Sequence, residues 1–201
     1  GVTRFATSVF VLFRRDVGQI AWIFTSMSLM NLDKWTLQFL DQASLPKYMF
    51  VAQLAAAFIV AQTVFVLAPA RRDLVNRNPW EVPSLRRGSW LFAIIAWFVG
   101  ISIVFFTWYN SSGSLLHFPF FLAGICVLSA PFLERLYWVA SDRLRVGIDI
   151  GFILLLAGIA SGLRLWTGDW PGSHLSLTLL AIVLLMRLGT VSAIIGGLGK
   201  R

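Results

Sequence analysis

The chain has 201 residues, of which 58% are hydrophobic and only 13% are charged, and its mean hydropathy is +0.78. A soluble domain of this length cannot bury so much apolar side chain, because most of its surface must still face water. The composition therefore excludes a soluble globular enzyme, a disordered chain and a DNA-binding domain. It favours a membrane protein with several spans.

The net charge of +8 comes from basic residues that lie mostly between apolar stretches. We interpret these residues as determinants of membrane topology and contacts for anionic lipid headgroups, and we expect no nucleic-acid partner. The single cysteine, Cys126, and the isolated histidines His117 and His174 predict no disulfide, metal site or redox site. The sequence contains no Gly-x-Ser-x-Gly, His-Glu-x-x-His or P-loop motif and no paired-carboxylate motif for metal-bound phosphate chemistry, so we expect neither a cofactor nor catalytic residues.

The apolar stretches predict an all-α bundle of six transmembrane helices that forms a single domain over residues 1–201. Pro69 and the pair Arg71-Arg72 are expected to end the second span. The predicted spans are residues 17–40, 48–68, 89–108, 115–139, 146–166 and 174–198.

Most of the 17 basic residues fall on one side of these spans. They lie in the N-terminal tail, in the loops 71–87 and 135–145, and at the C-terminus. By the positive-inside rule, both termini are predicted to be cytoplasmic, with three short loops outside. Aromatic residues near the span ends, such as Trp90, Tyr137 and Trp170, are typical of membrane–water interfaces.

The first span is unusual because polar residues run along it at membrane depth. Asn31, Lys34, Gln38 and Asp41 share an arc of about 80° on a helix, and Asp33 lies on its flank. Lipid cannot hydrate such a stripe, so we expect it to face other helices or a water-filled cavity for substrate or ions. The alternative is that Asp33 and Lys34 lie close enough to the outer interface to reach the headgroups.

Arg187 lies near the middle of the sixth span, where an unpaired arginine costs roughly 3 kcal/mol. Its partner is expected to be Asp33, Asp149, Glu134 or an acidic group of the substrate, and the sequence does not choose among them. We therefore include Arg187 in the candidate cavity. An ion pair with only a structural role is the alternative.

Small residues predict close helix packing in the later spans. In the fifth span, four glycines fall within about 60° of one another on a helix, which is the small-xxx-small pattern of packed membrane helices. In the second span, at least one of Gln53 and Gln62 is expected to hydrogen-bond to another helix. The glycines are Gly147, Gly151, Gly158 and Gly162.

Three stretches of the chain follow a pattern seen in one transporter family. From residue 25 the sequence reads TSMSLMNLDKWTLQFLDQASLPKYMFVAQLAAAF, with an intramembrane Asp33-Lys34 pair, an apolar stretch, Tyr48 and a helix. Later stretches read VFVLAPARRDLVNRN and APFLERLYWVASDRLRVGIDI. This order resembles the C-terminal half of polysaccharide and lipid-linked oligosaccharide flippases of the multidrug/oligosaccharidyl-lipid/polysaccharide exporter superfamily. Those flippases have twelve or more spans, and only Asp33 and Lys34 carry over residue by residue.

The resemblance implies one lobe of a flippase-like transporter that moves a lipid-linked saccharide or another anionic amphiphile. Its expected partners are membrane lipids, a lipid-linked glycan, and a second membrane chain or lobe. Its expected location is the bacterial inner membrane. The alternative function is a non-catalytic integral membrane subunit of a larger membrane complex, in which the glycine faces bind a partner and the charges are structural.

Overall fold

The computed structural model of the chain describes residues 20–109, 115–169 and 171–198. The start of the predicted first span, Trp170 and the basic residues of both tails lie outside these ranges. All regular secondary structure in the described ranges is helical. The helices are α1 (Ile20–Met30), α2 (Leu32–Leu40), α3 (Leu45–Gln62), α4 (Ala68–Asn76), α5 (Pro83–Tyr109), α6 (Phe118–Val139), α7 (Asp142–Thr167) and α8 (Ser173–Leu198).

Five continuous helical stretches within the described ranges are long and apolar enough to cross a membrane, which indicates an integral membrane protein. Four of them are α5, α6, α7 and α8. The fifth joins α3 and α4 into one stretch, Leu45–Asn76. The first predicted span is divided into the shorter helices α1 and α2 by a turn at Asn31.

The helix that contains the second predicted span does not end at Pro69 but continues to Asn76. Proline cannot donate the backbone hydrogen bond of a regular α-helix, and its ring crowds the preceding turn. A π-helical turn, Thr63–Leu67, immediately precedes the segment that holds Pro69. The wider turn changes the hydrogen-bonding register before the proline, so the chain stays helical through it.

The helix α6 forms the centre of the bundle, with 67% of its most apolar segment buried, against 6% for α7. It packs against α3, α5 and α8. Leu122 and Ile125 of α6 form one core cluster with Leu29 of α1 and Leu180 of α8. Pro131 lies inside α6 without ending it. The helix α7 lies at the periphery and packs mainly against α8.

Polar contacts between neighbouring helices hold each end of the bundle. At one end, Arg71 pairs with Glu134 at 3.2 Å, and Arg135 Nη1 donates to the Leu74 carbonyl at 2.7 Å. At the beginnings of α6 and α8, the rings of His117 and His174 stack with centroids 6.4 Å apart. The loops 71–87 and 135–145, which the charge pattern predicts to be on one side, therefore meet at the same end of the bundle.

Candidate functional site

Asp33 is buried between α2 and α3, where two side chains hold its carboxylate. The Tyr48 hydroxyl donates a hydrogen bond to Oδ2 at 2.9 Å, and Lys34 Nζ lies 3.3 Å from Oδ1. Asp33 is only 4% exposed and Tyr48 is fully buried. The carboxylate thus lies in the protein interior.

Lys34 pairs with Asp33 although the two residues are adjacent on a helix. Neighbouring side chains diverge by about 100°, so the sequence alone does not require this contact. The four-carbon stem of lysine is long enough for Nζ to bend back to the carboxylate. The Lys34 side chain remains 27% exposed, against 6% for Asp33. Lysine is therefore the member of the pair that a ligand can reach.

The exposed side of Lys34 faces a groove of 440 Å³ between α1, α2 and the start of α3. This groove, which we call the polar groove, contains three of the four stripe residues predicted from the sequence: Asn31, Lys34 and Gln38. Ser28 adds a hydroxyl, and Phe24 and Trp35 add aromatic surface. One cation, two amides, a hydroxyl and two rings offer both polar and apolar contacts to a ligand.

A second groove, of 630 Å³, lies on the other side of α2, between α2, α7 and α8. Its lining is mainly apolar and includes Phe39, Leu40, Ile153, Leu156 and Leu179. We call it the apolar groove. A single short helix, α2, therefore separates a groove suited to a charged headgroup from a groove suited to a hydrocarbon chain.

Arg187 does not line either groove; it lies in a buried ion pair between α7 and α8. Its Nε and Nη2 donate to Asp149 Oδ1 at 2.8 and 2.6 Å, and Nη2 also donates to Ser26 Oγ at 3.2 Å. Arg187 is 3% exposed and Asp149 is 1% exposed. Of the three candidate acids, the structure selects Asp149, while Glu134 pairs with Arg71. The prediction that Arg187 shares a cavity with Lys34 is corrected accordingly.

The glycine face of α7 does not pack inside this chain. A Cβ added to any of its four glycines would meet no atom within 4 Å among the described residues. The expectation of close packing therefore fails for contacts within the chain, because α7 lies at the edge of the bundle and turns this face outwards. The residues are Gly147, Gly151, Gly158 and Gly162.

The other predicted polar contact does form between helices. Gln62 Nε2 of α3 donates to Ser89 Oγ of α5 at 3.3 Å, and both side chains are buried. Within the described ranges, no three His, Cys, Asp or Glu side chains lie close enough together to hold a metal ion.

The sequence did not identify Tyr48 or Ser26 as partners of the buried charges. Tyr48 is 15 residues beyond Asp33, across the turn that follows α2. The only available signal was a tyrosine near the start of the next helix, which does not reveal which face of that helix meets α2.

Comparisons with protein-family models, with curated proteins and with solved structures found no match for this chain. The functional interpretation therefore depends on the membrane-spanning helices and on the chemistry of the two grooves.

Proposed function

We propose that the chain is one lobe of a flippase-like transporter in the bacterial inner membrane, which moves a lipid-linked saccharide or another anionic amphiphile. The observation that carries this proposal is the polar groove, where Lys34 faces a cavity of 440 Å³ beside Asn31 and Gln38. An ammonium group in a partly apolar surrounding attracts a phosphate or an acidic sugar. In this proposal the chain has no catalytic site.

The two grooves together support an amphiphile as the ligand. The amides and hydroxyl of the polar groove can hydrogen-bond to a sugar or phosphate headgroup, while Phe24 and Trp35 provide surfaces for a sugar ring. The apolar groove lies across α2 and fits a hydrocarbon chain. The sequence resemblance centred on Asp33 and Lys34 favours the same class of ligand.

Binding of a brominated alkyl phosphate, which quenches tryptophan fluorescence, tests the polar groove directly. We expect Lys34→Ala to weaken binding about tenfold to a hundredfold, because a charge-assisted hydrogen bond contributes about 1.5–3 kcal/mol. Lys47→Ala is the matched control, because Lys47 is exposed at the start of α3 and does not line the groove. Trp35→Phe should remove most of the quenching. Equal losses of affinity in the two lysine variants would contradict a specific role for Lys34.

The proposal includes six spans with both termini in the cytoplasm. Residues 20–40, which form α1 and α2, measure about 30 Å at 1.5 Å per residue, so together they are long enough to cross the hydrocarbon core as one interrupted span. The basic loops 71–87 and 135–145 meet at one end of the bundle, which supports their location on the same side of the membrane.

Labelling of single cysteines tests this topology. In a Cys126→Ala background, Gly172→Cys should react with an impermeant maleimide added from outside, whereas Asn78→Cys should react only after the membrane is permeabilised. Labelling of intact cells at Asn78→Cys would show that the orientation or the span count is wrong.

The outward glycine face of α7 favours the second candidate function, a non-catalytic subunit of a larger membrane complex. Glycines let helix backbones approach closely, and here no residue in the described part of the chain does so. We expect Gly158→Leu to leave the unfolding of the isolated chain unchanged and to reduce the yield of a complex purified from native membranes. Ile150→Ala is the control, because Ile150 is exposed on α7 but lies about 90° around the helix from the glycine face. Unchanged assembly would show that this face meets lipid.

A further inference from the structure

Arg145 lies in an aromatic cluster at the end of the bundle where α6 passes into α7. Its guanidinium carbon lies 4.9 Å from the centre of the Trp22 ring and 4.8 Å from the centre of the Tyr137 ring. The two rings lie 5.8 Å apart, so the guanidinium caps the cleft between them. Arginine stacks well on such surfaces, and the two rings orient its planar group. We call Arg145, Trp22 and Tyr137 the arginine cluster.

Several donors of the arginine cluster have no acceptor among the residues that the structure describes. Nη2 of Arg145 pairs with Asp142, but within those residues Nε and Nη1 have no hydrogen-bond partner, and neither does Nε1 of Trp22. Arg145 is only 5% exposed. Buried donors nearly always find an acceptor in folded proteins, and charged donors most of all. Four unmatched N–H groups, on three nitrogen atoms, therefore lie in one small volume beside a fixed positive charge.

The location favours an oxyanion as the group that meets these donors. Arg145 is three residues beyond Asp142, the first residue of α7, which is about 5 Å along the helix. The positive end of the α7 dipole adds to the attraction for an anion. A phosphate group offers several oxygen acceptors and suits arginine in particular. At a helix end of a membrane protein, phosphate is present as lipid headgroups and in free form.

We propose that the arginine cluster binds a phosphate oxyanion, with the Arg145 guanidinium and Trp22 Nε1 as its donors. This site is separate from the polar groove and does not depend on the transport proposal. It joins α1, α6 and α7, so its occupation is expected to stabilise the contact of the peripheral helix α7 with the rest of the bundle.

The test uses the full chain in a maltoside detergent, which contains no phosphate. We expect dihexanoyl phosphatidylglycerol or inorganic phosphate to raise the unfolding midpoint, by roughly 5–10 °C at 100 times its dissociation constant. Stabilisation by the lipid at concentrations where inorganic phosphate has no effect identifies a headgroup site. The reverse result identifies a site for free phosphate. No stabilisation by either ligand would overturn the proposal.

Matched variants separate the donors from the packing of the rings. Arg145→Gln should abolish the ligand-induced shift. Trp22→Phe removes one donor but keeps a ring, so it should weaken binding about tenfold. Tyr137→Phe also keeps its ring and removes no donor assigned to the site, so it should bind as the unmodified chain does. Equal effects of Trp22→Phe and Tyr137→Phe would contradict the assigned donor, even if Arg145→Gln fails to fold.

Discussion

Replacing Arg187 with Met is expected to lower the free energy of unfolding by about 3–5 kcal/mol, because it leaves the buried charge of Asp149 without a partner. Arg187 supplies both hydrogen bonds to Asp149 Oδ1, and Oδ2 already has no partner among the described residues. The hydrogen bond to Ser26 extends the same contact to α1. Equilibrium unfolding in a mild detergent measures the loss.

A double variant tests whether Arg187 and Asp149 stabilise the bundle through their contact with each other. Asp149→Leu combined with Arg187→Met removes both charges and keeps apolar volume, so it should recover most of the stability lost in Arg187→Met. Arg143→Met is the control, because Arg143 is exposed near the start of α7. This substitution should change the free energy of unfolding by no more than about 0.5 kcal/mol. Additive losses in the double variant would show that the two side chains stabilise the bundle through different contacts.

The importance of this ion pair follows from the position of α7. Only 6% of the most apolar segment of α7 is buried, so few apolar contacts attach this helix to the bundle. Asp149 and Arg145 are the buried residues of α7, and both take part in charged contacts with other helices or with aromatic rings. The attachment of α7 therefore depends on polar contacts to a greater degree than that of α6, whose core is apolar.

The helical architecture was predictable because apolar runs of about 20 residues have few alternatives to membrane-spanning helices. The predicted edges of the last three spans lie within a few residues of α6, α7 and α8. The continuation of the helix through Pro69 was not predictable, because the π-helical turn that accommodates this proline has no distinct sequence signal. The division of the first span at Asn31 is equally invisible in hydropathy.

The partners of the site residues could be predicted only in part, for a physical reason. The face of a helix that carries Asn31, Lys34 and Gln38 follows from the 3.6-residue repeat, and these residues do line one groove. Contacts between helices depend on how each helix is rotated about its axis. The pairing of Arg187 with Asp149, and the capping of the Trp22 and Tyr137 rings by Arg145, depend on that rotation.

The glycines also show that a sequence pattern on one helix does not reveal which residues of other helices lie against it. The four glycines of α7 form a clear small-residue face, yet a Cβ added to any of them would meet no atom of residues 20–109, 115–169 or 171–198 within 4 Å. Gly124 of α6 belongs to no such pattern, but it lies directly against the Trp97 side chain of α5. A Cβ at this position would lie 2.1 Å from Trp97 Nε1 and 2.6 Å from its Cδ1.

Gly124→Ala is therefore expected to destabilise the chain by about 3 kcal/mol, although alanine favours a helix more than glycine does. The indole of Trp97 donates a hydrogen bond from Nε1 to the Phe121 carbonyl at 3.2 Å. An added methyl group must push the ring away and break that bond, and both effects cost free energy in a packed interior. Unfolding in detergent measures the change.

Gly158→Ala is the matched control, because the same methyl group there meets nothing within 4 Å. We expect it to be neutral or to stabilise the chain by up to about 1 kcal/mol through helix propensity. Adding Trp97→Phe to Gly124→Ala should restore part of the lost stability, since the smaller ring leaves room for the methyl group and needs no acceptor. If Gly124→Ala were tolerated as well as Gly158→Ala, then α5 and α6 could not pack through this tryptophan.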